Sequence, residues 1–95
     1  GVTVNQGADG AGKFSSLIEN GWYNGNDNTG GEPSVMTING GTFSGGLNTI
    51  KNDDYGELTI KGGTFSSYAQ ACLLNWNVAT VEGGTFEWTC QRHDG

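Results

Sequence analysis

Positive charge, long apolar runs and proline are all scarce in this sequence, and each scarcity excludes something. The only cations are Lys13, Lys51, Lys61 and Arg92, set against ten acidic residues, for a net charge of −6. A phosphate backbone or an anionic membrane surface repels such a chain, so a nucleic-acid partner is not expected. No apolar run approaches the ~18 residues of a membrane span, so membrane insertion is not expected either. Hydrophobic residues are only 34% of the 95, too few for a conventional globular core in what reads as a single domain. The one methionine is Met36 and the chain starts at Gly1, the pattern of a processed or excised segment. Glycine is abundant instead: eighteen residues, beside the single Pro33 and many Asn, Thr and Ser. Without a period that composition reads as disorder; with one it reads as a repeat.

The period is plain. Gly-Gly-Thr-Phe occurs at Gly40–Phe43, Gly62–Phe65 and Gly83–Phe86, each copy preceded by a short alternating stretch: Met36-Thr37-Ile38-Asn39, Leu58-Thr59-Ile60-Lys61 and Ala79-Thr80-Val81-Glu82. The unit returns after 22 and then 21 residues, the mark of stacked repeats. Ile38, Ile60 and Val81 are apolar between polar neighbours, as a half-buried strand requires. Position Asn39/Lys61/Glu82 is neutral, positive and negative in turn, which a solvated column tolerates and a buried one does not.

Four regions follow. Residues 1–20 read as a degenerate first coil, in which Val2-Thr3-Val4-Asn5 copies the strand before the glycines and Gly12-Lys13-Phe14-Ser15 copies the stretch after them. Residues 21–34 are a loop insertion by composition, 35–88 hold the repeats, and 89–95 form a tail. After each phenylalanine comes a second apolar element: Leu17-Ile18-Glu19-Asn20, Thr49-Ile50-Lys51-Asn52 and Cys72-Leu73-Leu74-Asn75. The shared asparagine has two readings. Its side chains form a hydrogen-bonded ladder between coils, or it occupies a left-handed turn position.

Two folds accommodate Gly-Gly between alternating stretches: a two-residue β-hairpin, or a corner between two strands of one coil of a parallel solenoid. Recurrence of the outer threonines, Thr37/Thr59/Thr80 and Thr42/Thr64/Thr85, favours the solenoid, because hairpins need no threonine columns. The glycine density leaves no helix for a leucine-rich repeat. The Thr-Ile-x-Gly-Gly-Thr-Phe units resemble those of right-handed parallel β-helix proteins of the pectate-lyase-like superfamily, particularly repeat regions of bacterial surface proteins and of phage fibres or spikes. The resemblance covers about residues 35–88. It implies an all-β chain, a short right-handed parallel β-helix (β-solenoid) of about four coils, stacked at ~4.8 Å.

The same superfamily holds adhesins, virion proteins, polysaccharide lyases and hydrolases, so function must be read from what the coils carry. The expectation is a non-catalytic structural or recognition module of a secreted, cell-surface or virion (fibre or decoration) assembly. Its partners would be protein neighbours in an oligomer, fibre or particle, and surface glycans. Trp22, Tyr23, Tyr55 and Trp76, with Tyr68, are the candidate sugar-stacking aromatics; for Trp22 the competing role is to cover the core beneath it. The alternative is a fragment of a carbohydrate-active β-helix enzyme, lyase or hydrolase. Asn52-Asp53-Asp54 and Arg92-His93-Asp94-Gly95 resemble elements of β-helical polygalacturonases, in which two acids perform hydrolysis; those acids come from consecutive coils on one face, which this arrangement does not reproduce. Asn24, Asn26, Asp27, Asn28 and Glu32 offer oxygen ligands, but their order does not fit a calcium loop, which needs glycine where Thr29 stands and an acid where Val35 stands. No enzyme activity, cofactor or metal is expected.

Counting from the phenylalanines places Cys72 seven residues after Phe65, as Ile50 is seven after Phe43, and Cys90 four after Phe86, as Ile18 is four after Phe14. Both then fall on the second apolar column in consecutive coils. Cα atoms ~4.8 Å apart there lie within the disulfide range, which suits an oxidising, extracellular setting; two buried thiols acting as small apolar residues are the alternative.

Overall fold

The computed structural model describes residues 3–5, 16–67 and 70–88. Its ten strands are β1 (Thr3–Asn5), β2 (Ile18–Asn20), β3 (Ser34–Ile38), β4 (Thr42–Ser44), β5 (Asn48–Asn52), β6 (Gly56–Ile60), β7 (Thr64–Ser67), β8 (Ala71–Asn75), β9 (Val78–Val81) and β10 (Thr85–Trp88). Among the described residues there is no helix, and so none long and apolar enough to cross a membrane. Three sheets form, ordered β1-β4-β7-β10, β2-β5-β8 and β3-β6-β9, and every pairing within them is parallel. Each coil gives one strand to each sheet. The described residues therefore form a parallel β-solenoid of three coils with the opening strand of a fourth.

Gly-Gly is a corner and not a hairpin, since the strands it joins, such as β6 and β7, belong to different sheets. The second glycine of each pair is in a positive-φ conformation, 115° at Gly41, 114° at Gly63 and 116° at Gly84. Only glycine adopts this readily, and a Cβ on Gly63 would also lie 3.1 Å from both Gly41 O and the Phe65 ring. The backbone ladder runs through the corner: Lys61 N donates to Ile38 O, Glu82 N to Ile60 O, Thr64 N to Gly41 O and Thr85 N to Gly63 O, each at 2.8 Å.

Stacking supplies the burial that composition withholds. Phe43, Phe65 and Phe86 lie in register, with ring centroids 5.1 and 5.0 Å apart and interplanar angles of 7° and 13°. Ile50, Leu58 and Ile60 of the middle coil close the same core. Burial is greatest at mid-stack: Ile60 is 0% exposed, whereas Val81, its partner one coil on, is 50% exposed. The threonines pair as columns, Thr37 with Thr59 and Thr80, and Thr3 with Thr42, Thr64 and Thr85.

Two expected registers are corrected. Thr3–Asn5 does not copy the strand before the glycines; it pairs with β4, so that Val4 sits over Phe43 and heads the phenylalanine column. A short Thr-apolar-polar stretch fits either strand, and pairing with the threonine of β4 decides it. Phe14, assigned to that column from sequence, lies outside the described residues. In the second sheet Ile50 pairs with Leu73, which puts Cys72 level with Thr49 and not with Ile50. Ile50 is seven residues after Phe43, but its register partner Leu73 is eight after Phe65, so counting from the phenylalanine slips by one. Thr49 Oγ1 donates to Ser66 O at 2.8 Å, and the Cys72 thiol donates to Glu87 O at 3.1 Å. Ser66 and Glu87 are register partners, so the thiol occupies the place of a threonine hydroxyl one coil on. Cys72 is a free, buried thiol whose pKa is pushed up by that burial; Cys90 lies outside the described residues.

Candidate ligand-binding corner

The corner between the second and third sheets carries the longest turn among the described residues. Its inner wall is the asparagine ladder. Asn20 Nδ2 donates to Asn52 Oδ1 at 2.9 Å, and Asn52 Nδ2 donates to Asn75 Oδ1 at 2.8 Å. The same amides reach the carbonyls across the turn, Asn20 to Ser34 O at 2.9 Å, Asn52 to Gly56 O at 3.1 Å and Asn75 to Asn77 O at 3.1 Å. The left-handed alternative does not apply: among the described residues only Asn26 and Tyr55 are non-glycine residues with positive φ. The amides thus bind coil to coil and close each turn, and at the buried Asn20 and Asn52 they satisfy carbonyls that water does not reach freely.

Outside this wall the three coils differ. Residues 76 and 77 turn the third coil, residues 53–55 the second, and residues 21–33 the first, with Ser34 already in β3. The long first turn is clamped onto the second coil. Trp22 bridges Asp54, its N–H donating to Asp54 O at 3.2 Å. Asp54 Oδ2 accepts the backbone N–H groups of Asn24 and Asn26 at 2.6 and 2.9 Å. The Tyr55 N–H donates to Asn28 Oδ1 at 2.7 Å, and its hydroxyl donates to Thr29 O at 2.5 Å while accepting from Asn24 Nδ2 at 2.9 Å. Tyr55 has φ +64°, a conformation costly for an aromatic residue. These hydrogen bonds, and that from Ser34 N to Tyr55 O at 2.8 Å, hold it there.

The four candidate aromatics separate into two roles. Tyr55 is 6% exposed and is no surface platform, contrary to expectation; the loop clasp buries it. Trp22 lies flat on it, with centroids 4.4 Å apart and an interplanar angle of 19°, and is itself 45% exposed. Tyr23 is 74% and Trp76 50% exposed, while Tyr68 lies outside the described residues. Asn24, Asp27 and Asn28, three of the loop's polar side chains, are engaged in holding it. Besides the roles of Asn24 and Asn28, Asp27 Oδ1 accepts from the Thr29 N–H and hydroxyl at 2.9 and 2.7 Å, which hold the Asp27 carboxyl below its ordinary range. Among the described residues no three His, Cys, Asp or Glu side chains are grouped to hold a metal ion.

Asp53 and Asp54, the acid pair singled out in the sequence, are both buried. Lys51 Nζ is 3.2 Å from Asp53 Oδ2, and the Asp54 N–H donates to Asp53 Oδ1 at 3.0 Å. Burial pushes Asp53 up, but hydrogen bonds from Glu19, the Asp54 N–H and Lys51, with the lysine charge, outweigh it and hold the carboxyl below its ordinary range. Glu19, the register partner of Lys51, is pushed up by burial and by sharing its proton with Asp53. His93 and its neighbours lie outside the described residues. The anchoring roles of Asp54 and Asn28 were not legible in the sequence, because each depends on a partner about 27 or more residues away.

Comparison with known proteins gives no match: no family model, no curated protein and no solved structure matches this chain. What defines its class is the geometry itself, a parallel β-solenoid with one clamped corner loop.

Proposed function

We propose that this chain is a non-catalytic recognition and structural module of a secreted, cell-surface or virion assembly, with glycans as the ligands of its loop-bearing corner. The observation that carries the reading is the clamp: the first turn is lengthened and then fixed by Asp54 and Tyr55 of the next coil, so that Trp22 and Tyr23 stand exposed on a rigid support. Loops fixed on a regular scaffold are where repeat proteins place recognition, and preorganised aromatic rings bind apolar sugar faces at little entropic cost. Protein neighbours fit the same picture, since the strands of an end coil present unpaired edges that another coil can cover.

The test is co-sedimentation with insoluble polysaccharides together with a glycan array, each supernatant being assayed for new reducing ends and unsaturated products. Binding without product is expected, and Asp54→Ala, which frees the loop backbone, should weaken it. Absence of binding across the array refutes the reading. Product release supports the carbohydrate-active enzyme instead.

A further inference from the structure

Trp22 and Trp76 occupy one corner of the solenoid, two rungs apart. The Trp22 N–H reaches Asp54 O from the first coil and the Trp76 N–H reaches Asn52 O from the third, so residues 52–54 of the second coil lie between them. Parallel strands are spaced at ~4.8 Å, which separates the two backbone positions by ~9.6 Å along the axis. Both side chains are about half exposed, and the tilt of Trp22 is set by the Tyr55 ring beneath it. In an extended β-1,4-linked glycan alternate residues turn over, so the same sugar face returns every second residue, a distance comparable to two rungs. A chain lying along the axis then meets one ring, passes outside the second coil, whose Asp53 and Asp54 are buried, and meets the other.

Charge selects among such chains. The protein carries a net −6, and the nearby cation, Lys51, is already paired with Asp53. A polyuronate brings one negative charge per residue to this surface, whereas a neutral glycan brings none. Resting on the glycan-binding reading above, we infer that Trp22 and Trp76 are the two platforms of a subsite for a neutral, extended β-1,4-linked polysaccharide that runs parallel to the solenoid axis.

Calorimetric titration of the whole chain with cello-oligosaccharides of two to six units, and with hexagalacturonate, tests this. Affinity should rise steeply once the oligosaccharide is long enough to reach both rings. Trp22→Ala and Trp76→Ala should each lower cellohexaose affinity by ~10-fold, about the scale of one lost aromatic contact, and abolish the dependence on length. Trp22→Phe, which keeps a ring on Tyr55, should retain the parent melting temperature and part of the affinity, which separates loss of the platform from loss of the fold. Wild-type affinity in Trp76→Ala, a flat length series, or tighter binding of hexagalacturonate than of cellohexaose overturns the inference while leaving glycan recognition standing. Failure of the parent to bind any arrayed glycan removes the recognition reading itself.

Discussion

Asn52 offers the sharpest test of what holds the coils together. Its amide is fully buried, and Nδ2, with two hydrogens, has Gly56 O at 3.1 Å, Asn75 Oδ1 at 2.8 Å and Val78 O at 2.9 Å within reach. Its Oδ1 accepts from Asn20 Nδ2 at 2.9 Å. Two donated bonds and one accepted bond, at about 1 kcal/mol net each, put the loss in Asn52→Ala near 3 kcal/mol. Several partners keep a second bond, as Gly56 O does with Asn77 Nδ2 at 2.9 Å, which limits the added cost of orphaned groups. Asn75 stands at the exposed end of the same ladder, where water replaces what is removed, so Asn75→Ala should cost under ~1 kcal/mol. For a chain of this size ~3 kcal/mol corresponds to a fall of roughly 12–24 °C in Tm. Urea denaturation with a common m value is the assay. Asn52→Asp keeps the volume and loses the donor. Burial among acceptors raises the folded-state pKa of that new carboxyl, so the variant should lose stability as pH rises through it and recover at low pH. Equal losses at positions 52 and 75, or a pH-independent Asn52→Asp, refute the ladder as a source of stability.

The phenylalanine column makes a parallel prediction: Phe65→Ala, with rings above and below, should cost ~3–5 kcal/mol, and Phe86→Ala, 38% exposed, clearly less; a denaturant series with equal losses contradicts it. Cys72→Thr should be neutral or stabilising in thermal melts, because Thr49 fills the equivalent place one coil earlier; a marked loss shows that the cavity there is shaped for sulfur. Glu19 has a raised pKa, so it contributes stability below its unfolded pKa that is lost as pH rises through the folded value. Glu19→Gln keeps a donor to Asp53 without titrating, so its stability relative to the parent should increase with pH across that range; a constant difference removes the shared proton.

The stacking of the chain was legible because a solenoid repeats its constraints. Each coil puts the same residue types at the same register positions, so Ile38 with Ile60, Phe43 with Phe65 and the three asparagines recur with the period and announce both the corners and the second column. Registers were legible only where the same number of residues separates the paired positions in successive coils. At Cys72 one extra residue between Phe65 and the second sheet shifted the count, and at Thr3–Asn5 three residues were compatible with two strands until pairing with β4 chose between them.

The corner itself was half legible. Composition marked residues 21–34 as a loop and offered its Trp22 and Tyr23, with Trp76 of a later turn, as candidate surface aromatics, and all three are exposed. It assigned Tyr55 to the same surface, since nothing local to Tyr55 tells that Thr29 and Asn24 will close over its hydroxyl. The sequence by itself determined a parallel solenoid and the identity of its inner columns, because periodic burial is written one residue at a time. Only the tertiary structure decided which polar side chains are anchors and which aromatics remain on the surface, because those assignments rest on contacts between segments about thirty residues apart, where chain order carries no information about distance.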